Sequence, residues 1–202
     1  MKVELHLHTS RHSACATASP EDIVRRLIAC GYEAAYVTEH DEVWGDWELA
    51  ELQAAFPEIR LFPGMEISLG RDKFQHLLVL GTGDRAYLGM PHAGEIIERA
   101  RERRHLTVRA HPFRWPESPP EMLLGPLYPD AFELNTCNHP PPCAERVKEV
   151  AERLGLAPVN AGDVHALDFV NRYWIETFEP LREAGDIFAA VRSRAYRNCP
   201  PG

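Results

Sequence analysis

The chain has 202 residues, 45% of them apolar and 26% charged, a composition that buries a core and excludes intrinsic disorder. No run approaches the roughly 18 apolar residues of a membrane span, and the opening MKVELHLHTS lacks the apolar centre of a secretory signal. Thirty acids against 22 bases give a formal charge of −8, so bulk charge provides no basic footprint for gripping nucleic acid.

The length suits one domain, residues 1–202. Cys15, Cys30, Cys137, Cys143 and Cys199 contain no C-x-x-C, which argues against a disulfide framework and a zinc knuckle. Reduced thiols in a cytoplasmic protein with no membrane partner are the simplest reading. Histidine is the unusual count: ten, more than Phe, Tyr or Trp, and imidazole is the commonest metal ligand.

In chain order, residues 2–7 predict a strand. A helix over 20–30 follows, opened by Ser19 as N-cap with Pro20 at its first position and stopped at Gly31. Strands are predicted over 34–38, 59–67, 75–81, 106–110, 131–134 and 157–161, with 172–178 as an extra. Helices are predicted over 46–56, 92–104, 143–154 (closed by Gly155) and 180–194. Unbroken strand–helix alternation predicts a parallel α/β sheet, short enough for a small or distorted barrel. The proline-rich stretch 111–142 reads as loops around one strand. Trp44 and Trp47, three apart, are expected to share a helix face and pack in the core.

The histidines follow the strands. In VELHLH, alternation places Glu4, His6 and His8 on one face and Val3, Leu5 and Leu7 on the other. One H-x-H alone is equally a half-exposed strand, but imidazoles and acids recur at the other strand ends. The second ends in Thr38-Glu39-His40-Asp41, the third in Pro63-Gly64-Met65-Glu66, and the fourth begins at His76. The fifth ends in Ala110-His111-Pro112, the sixth carries Glu133-Leu134-Asn135, and the seventh ends in Gly162-Asp163-Val164-His165. Loops at the C-terminal strand ends of α/β proteins face one site, so these groups are expected to converge on a polynuclear metal centre. Mixed imidazole and carboxylate ligands suit Zn, Mn or Fe over Ca or Mg, without choosing among the three.

The segments ELHLHT, TEHD, GMEIS, HLLVLG, AHPFR, ELN and GDVHAL, in that order, resemble the PHP (polymerase and histidinol phosphatase) family of metal-dependent phosphoesterases. The resemblance implies a distorted (β/α)7 TIM-like barrel with two to three divalent metals at its C-terminal face. It assigns His6, His8, Glu66 and Asp163 to a first metal, and Glu66, His76 and His111 to a second. His40 and His165 fall to a third. The family's further His or Asp for that third site has no clear match in Ser10–Cys15, where His12 and Cys15 are the candidates.

Other residues admit two readings. Arg114 reads equally as a fork for a substrate phosphate or as a loop charge, and Arg11 likewise with less support. Asn135 bonds substrate, orients a ligand or serves a turn, and Glu39 fixes an imidazole or simply precedes a helix. His92, His105 and His139 match no ligand position; the first two are expected in solvent and His139 in a loop near the site mouth.

The expected activity is hydrolysis of a small phosphomonoester by a metal-activated hydroxide at a di- or trinuclear site. Glu66, Asp163, His40 and His165 form its catalytic centre, and His165 or His40 protonates the leaving group. A nuclease on short nucleic acid or a nucleotide bisphosphate would use the same site. A metal-dependent amidohydrolase would need a bridging lysine, and Lys2, Lys73 and Lys148 do not lie at strand ends. The non-enzymatic alternative is a PHP module with a structural or regulatory role.

Overall fold

The computed structural model describes residues 1–70, 73–90, 92–115, 127–139 and 142–199. Its elements run β1 (Lys2–Glu4), α1 (Pro20–Ala29), β2 (Ala34–Val37), α2 (Asp46–Ala55), β3 (Arg60–Leu69) and β4 (Gln75–Leu80). After a 3-10 turn (Arg85–Gly89) come α3 (Ala93–Arg103), β5 (Leu106–Arg109), β6 (Ala131–Glu133), α4 (Cys143–Leu154) and β7 (Ala157–Val159). The chain closes with β8 (Trp174–Thr177), α5 (Asp186–Arg192) and β9 (Tyr196–Cys199).

The strands form one sheet in the order β7-β6-β5-β4-β3-β2-β1-β8-β9. Beyond the end of β1, Leu7 bridges Val164 in parallel, with His8 N donating to Val164 O (2.9 Å) and Val164 N to His6 O (3.0 Å). That bridge joins the two ends of the β1–β7 run into a nearly closed barrel. At the opposite end β8 pairs antiparallel with β1, and Asn198 of β9 reaches β7 by donating to Pro158 O (2.8 Å).

The sheet is mixed, not parallel as the alternation predicted. Only five residues separate β3 from β4, too few for the crossover that a parallel pair needs, so the two make an antiparallel pair with Ser68 opposite His76. β4 is also antiparallel to β5. This reversal matters for function: His76 begins its strand, yet lies at the same barrel end as the residues that finish β3 and β5.

One buried cluster draws on every barrel strand and on Ile187, Phe188 and Val191 of α5, so α5 stops the lower end of the barrel interior. Alternate residues face outward: Met65, Ile67, Leu77 and Val79 pack with Ile96 and Ile97 of α3 and Val147 and Val150 of α4. On the other side Ile23, Val24 and Leu27 of α1 cover Ala35 and Val37. Ser19 caps α1 through Asp22 N (3.1 Å), as its sequence signature predicts.

Several expectations need correction. The helix predicted over 180–194 is confined to Asp186–Arg192, opening after Gly185, and β9 was not anticipated. α2 begins at Asp46, so Trp44 lies before it and the two tryptophans share no helix face. Trp44 is buried, while Trp47 is 68% exposed. His105 is not simply solvated, since its Nδ1 sits 2.8 Å from the Tyr87 hydroxyl. All five cysteines are free thiols. Among the described residues no helix is long and apolar enough to cross a membrane.

Candidate metal centre

The ladder of β1 stops at Glu4, and strict alternation stops with it. Val3 and Leu5 both join the barrel-interior cluster, while Leu7 packs with α1. The Glu4 carboxylate accepts from Leu5 N (3.0 Å), His6 N (3.1 Å) and Gly162 N (2.7 Å). Full burial pushes its pKa up to about 7, against the lowering effect of these donors. Past this irregular stretch, His6 and His8 converge as predicted, with their Nε2 atoms 2.9 Å apart.

Each ring is oriented from behind. His6 Nδ1 lies 2.7 Å from Glu133 Oε1, and His8 Nδ1 lies 3.3 Å from Ser13 Oγ, whose hydroxyl donates to Glu39 Oε2 (2.5 Å). His76 Nε2 lies 3.0 Å from Lys73 O, and His165 Nδ1 lies 3.0 Å from Asp163 O. With the protons on those nitrogens, the opposite ring nitrogens face the centre as lone pairs.

Glu66 stands between the imidazoles. Its Oε1 is 2.8 Å from His76 Nδ1 and 3.0 Å from His111 Nε2. Its Oε2 is 2.9 Å from His40 Nδ1 and 3.2 Å from both His6 Nε2 and His8 Nε2. Asp163 Oδ1 lies 3.4 Å from the same Nε2 atoms, while Asn138 holds its other oxygen (2.8 Å). Among the described residues, three sets with metal-ligand spacing result: His6, His8 and Asp163; His40, Glu66 and His76; His8, His40 and His165.

The residues fit divalent cations. Glu66 Oε2 and Asp163 Oδ1 are buried with no hydrogen-bond partner, and the Nε2 atoms of His6 and His8, 2.9 Å apart, can both present lone pairs only where a cation compensates them. The electrostatics agree. Burial opposes charge on both groups, but Asp163, Glu133 and Glu66 push His6 well above its ordinary value, and the histidines hold Glu66 well below its own. Without cations the cluster compensates its buried anions by protonating imidazoles. His165 is driven the other way, to about 4, by burial and then by the charge of His8.

All eight expected ligands, His6, His8, His40, Glu66, His76, His111, Asp163 and His165, meet in this cluster, and Arg114 stands at its edge. Arg114 Nη1 is 3.8 Å from Asp163 Oδ2, and the guanidinium lies 4.6 Å from the Trp115 ring centroid. Other candidates point elsewhere. His12 Nε2 is 3.4 Å from Glu48 Oε2 and Arg11 Nε is 3.1 Å from Glu48 Oε1, so both are engaged by Glu48, and His12 joins none of the three sets. Cys15 is exposed and joins none of the three sets. Asn135 gives its amide to Asn160 (3.0 Å). His139 lies in a loop against Pro112 O, where a site-mouth residue was expected.

The sequence placed Glu133 among the strand-end acids expected to converge, but gave it no role, although it lies two residues from inward-facing Ala131. Glu39 was noted, and it accepts from Thr9, Ser13 and Trp44, reaching the His8 imidazole only through Ser13. Ser13 and Asn138 carry no sequence signal, because Ser13 is linked to Glu39 and Asn138 to Asp163 only by the fold.

No family model matches the chain. Error-prone DNA polymerase of Cutibacterium acnes is 31% identical over 99 residues, which is 45% of this chain and 9% of that polymerase. The chain thus spans a small part of that relative's length. A two-domain protein of Bacteroides vulgatus containing a predicted PHP-like metal-dependent phosphoesterase superposes with a TM-score of 0.72 and 19% identity, covering 100% of this chain and 65% of that one. A candidate metal-dependent phosphoesterase of Bifidobacterium adolescentis gives 0.66 and 15%, covering 96% of each chain. An amidohydrolase of Chromobacterium violaceum with bound sulfate gives 0.65 and 16%, covering 100% of this chain and 99% of that one. With the motif segments from ELHLHT to GDVHAL set on this barrel, the architecture of the chain is that of the PHP-like metal-dependent phosphoesterases.

Proposed function

We propose that the protein is a metal-dependent phosphoesterase acting on a small phosphomonoester. The observation that carries this reading is Glu66: its two oxygens face different imidazole sets, His76 and His111 on one side and His6, His8 and His40 on the other. A carboxylate so placed suits two cations held side by side, which would polarise a phosphoryl oxygen and make a water nucleophile available near neutral pH. His6, His8 and Asp163 would hold one and His76 and His111 the other, with His40 and His165 available to a third.

The chain's own residues supply the rest. Arg114, at the edge beside Asp163, is positioned to fork onto the oxygens of an incoming phosphate and balance charge that grows during displacement. His165, held to about 4 by burial, is neutral near pH 7 and serves as a ligand rather than an acid. His40, with 27% of its side chain exposed, is the better placed donor to a leaving alkoxide. The amidohydrolase alternative is disfavoured by the lysines. Lys2 Nζ is taken by Cys30 O, Lys73 Nζ by Asp41 and Lys148 Nζ by Glu145, so none reaches the cluster.

The likeness to a DNA polymerase segment supports a second reading, cleavage of phosphodiesters in short nucleic acid. Protein reloaded with Mn, Zn or Fe and offered a phosphomonoester panel beside short oligonucleotides separates the two. Release of inorganic phosphate from monoesters is expected, and cleavage of oligonucleotides alone would favour the second reading. Glu66→Gln should lose activity by more than the about 10–100-fold typical of a residue behind the ligands. Absence of hydrolysis with every metal would favour the non-catalytic module.

A further inference from the structure

We infer that Glu133 is a positioning residue that holds ligands of both cation positions in register, so that its loss weakens metal binding at both. The inference rests on the metal-dependent reading above and adds a residue outside the three ligand sets.

Glu133 ends β6 and is fully buried. Its oxygens are divided between two ligand residues. Oε1 lies 2.7 Å from His6 Nδ1, and Oε2 accepts from the backbone N of His111 at 2.6 Å. The first contact keeps a proton on Nδ1 and leaves His6 Nε2 to face Glu66 Oε2 and Asp163 Oδ1. The second acts on the main chain. His111 has φ of 27°, in the left-handed region that L side chains avoid, and such a conformation persists only where its surroundings enforce it. A short, charge-assisted bond to His111 N provides that enforcement and aims its Nε2 at Glu66 Oε1, 3.0 Å away.

One carboxylate therefore spans His6, of the first ligand set, and His111, beside the second. Both contacts need an acceptor. Glutamine supplies one carbonyl oxygen and sets an NH2 group against the other donor, so one contact becomes donor against donor. Aspartate keeps the charge but is one methylene shorter and reaches one partner at most. A buried acid with a merely structural role would alter folding stability and leave the metal affinity of the folded protein unchanged.

The test strips metal from the full chain with chelator and titrates it with Mn(II) by calorimetry. Wild type, Glu133→Gln and Glu133→Asp are compared, with circular dichroism to verify folding. Wild type should take up at least two equivalents, and Glu133→Gln, which keeps one acceptor, should bind at least one of them about 10–100-fold more weakly while remaining folded. Wild-type affinity for both equivalents in the folded Gln variant overturns the inference. If Glu133→Gln does not fold, Glu133→Asp decides: weaker Mn(II) binding supports the inference and unchanged affinity for both equivalents overturns it. Wild type that binds two equivalents but hydrolyses no phosphoester defeats the phosphoesterase reading alone. Uptake of less than one equivalent defeats both.

Discussion

Ring orientation sets the chemistry of this cluster. An imidazole serves a cation through one nitrogen only if the other is committed, and His6, His8, His76 and His165 each have that commitment to a different acceptor. Arg114 differs because its guanidinium is partly exposed and shares no short bond with Asp163. Its contribution is therefore expected to appear with substrate. Arg114→Ala should raise KM for a phosphomonoester while leaving metal stoichiometry unchanged, and lost stoichiometry would instead make it part of the metal centre. Far from the cluster, burial and then the charge of Arg103 lower the pKa of His105. A folded-state value below the unfolded one means that the stability His105 contributes is present above pH 6.5 and is lost as pH falls through the folded pKa. An NMR titration should place its midpoint below 6.5, and a midpoint above that value would contradict the assignment.

The most constrained element is the seam where β1 meets the segment after β7. Glu4 ties the two by accepting from Gly162 N, and a Cβ at Gly162 would lie 2.6 Å from both Glu4 Oε2 and Val164 Cγ2. Glu4 is buried and held by three amides, so it cannot swing aside. Gly162→Ala should cost about 1–3 kcal/mol through overpacking and displace neighbouring Asp163. Chemical denaturation with a metal titration would show a coupled loss, while unchanged stability would mean that the seam is looser than its contacts imply. At this scale the alternation in VELHLH was informative but incomplete. It predicted that His6 and His8 converge, and they do. It also set Leu5 and Leu7 on one face, whereas they enter different clusters, because Glu4 captures the amides that a regular ladder would have used.

For the whole molecule, the cluster lies where β1, β3, β4, β5 and the segment after β7 meet, so cations there would tie together strands distant in sequence. A ligand that binds the folded form alone stabilises it by about 2.7 kcal/mol at a concentration of 100 times its Kd. For a chain of this size that corresponds to a Tm rise of about 5–10 °C per site. Calorimetric scans of stripped protein with and without Mn, Zn or Fe should show such a rise, and chelator should reverse it. No shift with any of the three would remove the case for a resident metal.

Residue type and local order were enough to single out the side chains that cluster and the strands that carry them, because imidazoles and acids at strand ends are a local pattern. Helix ends marked by Ser19, Pro20 and Gly155 were legible for the same reason. The mixed sheet was not, since hydrophobic periodicity describes a strand's faces and not its direction. Pairing in space decided the reversal of β4 that brings His76 to Glu66, the turn of His12 and Arg11 toward Glu48, and the choice of Glu133 as partner of His6 and His111. Those outcomes depend on contacts between residues 10 to 127 positions apart, whose geometry exists only once the strands have paired.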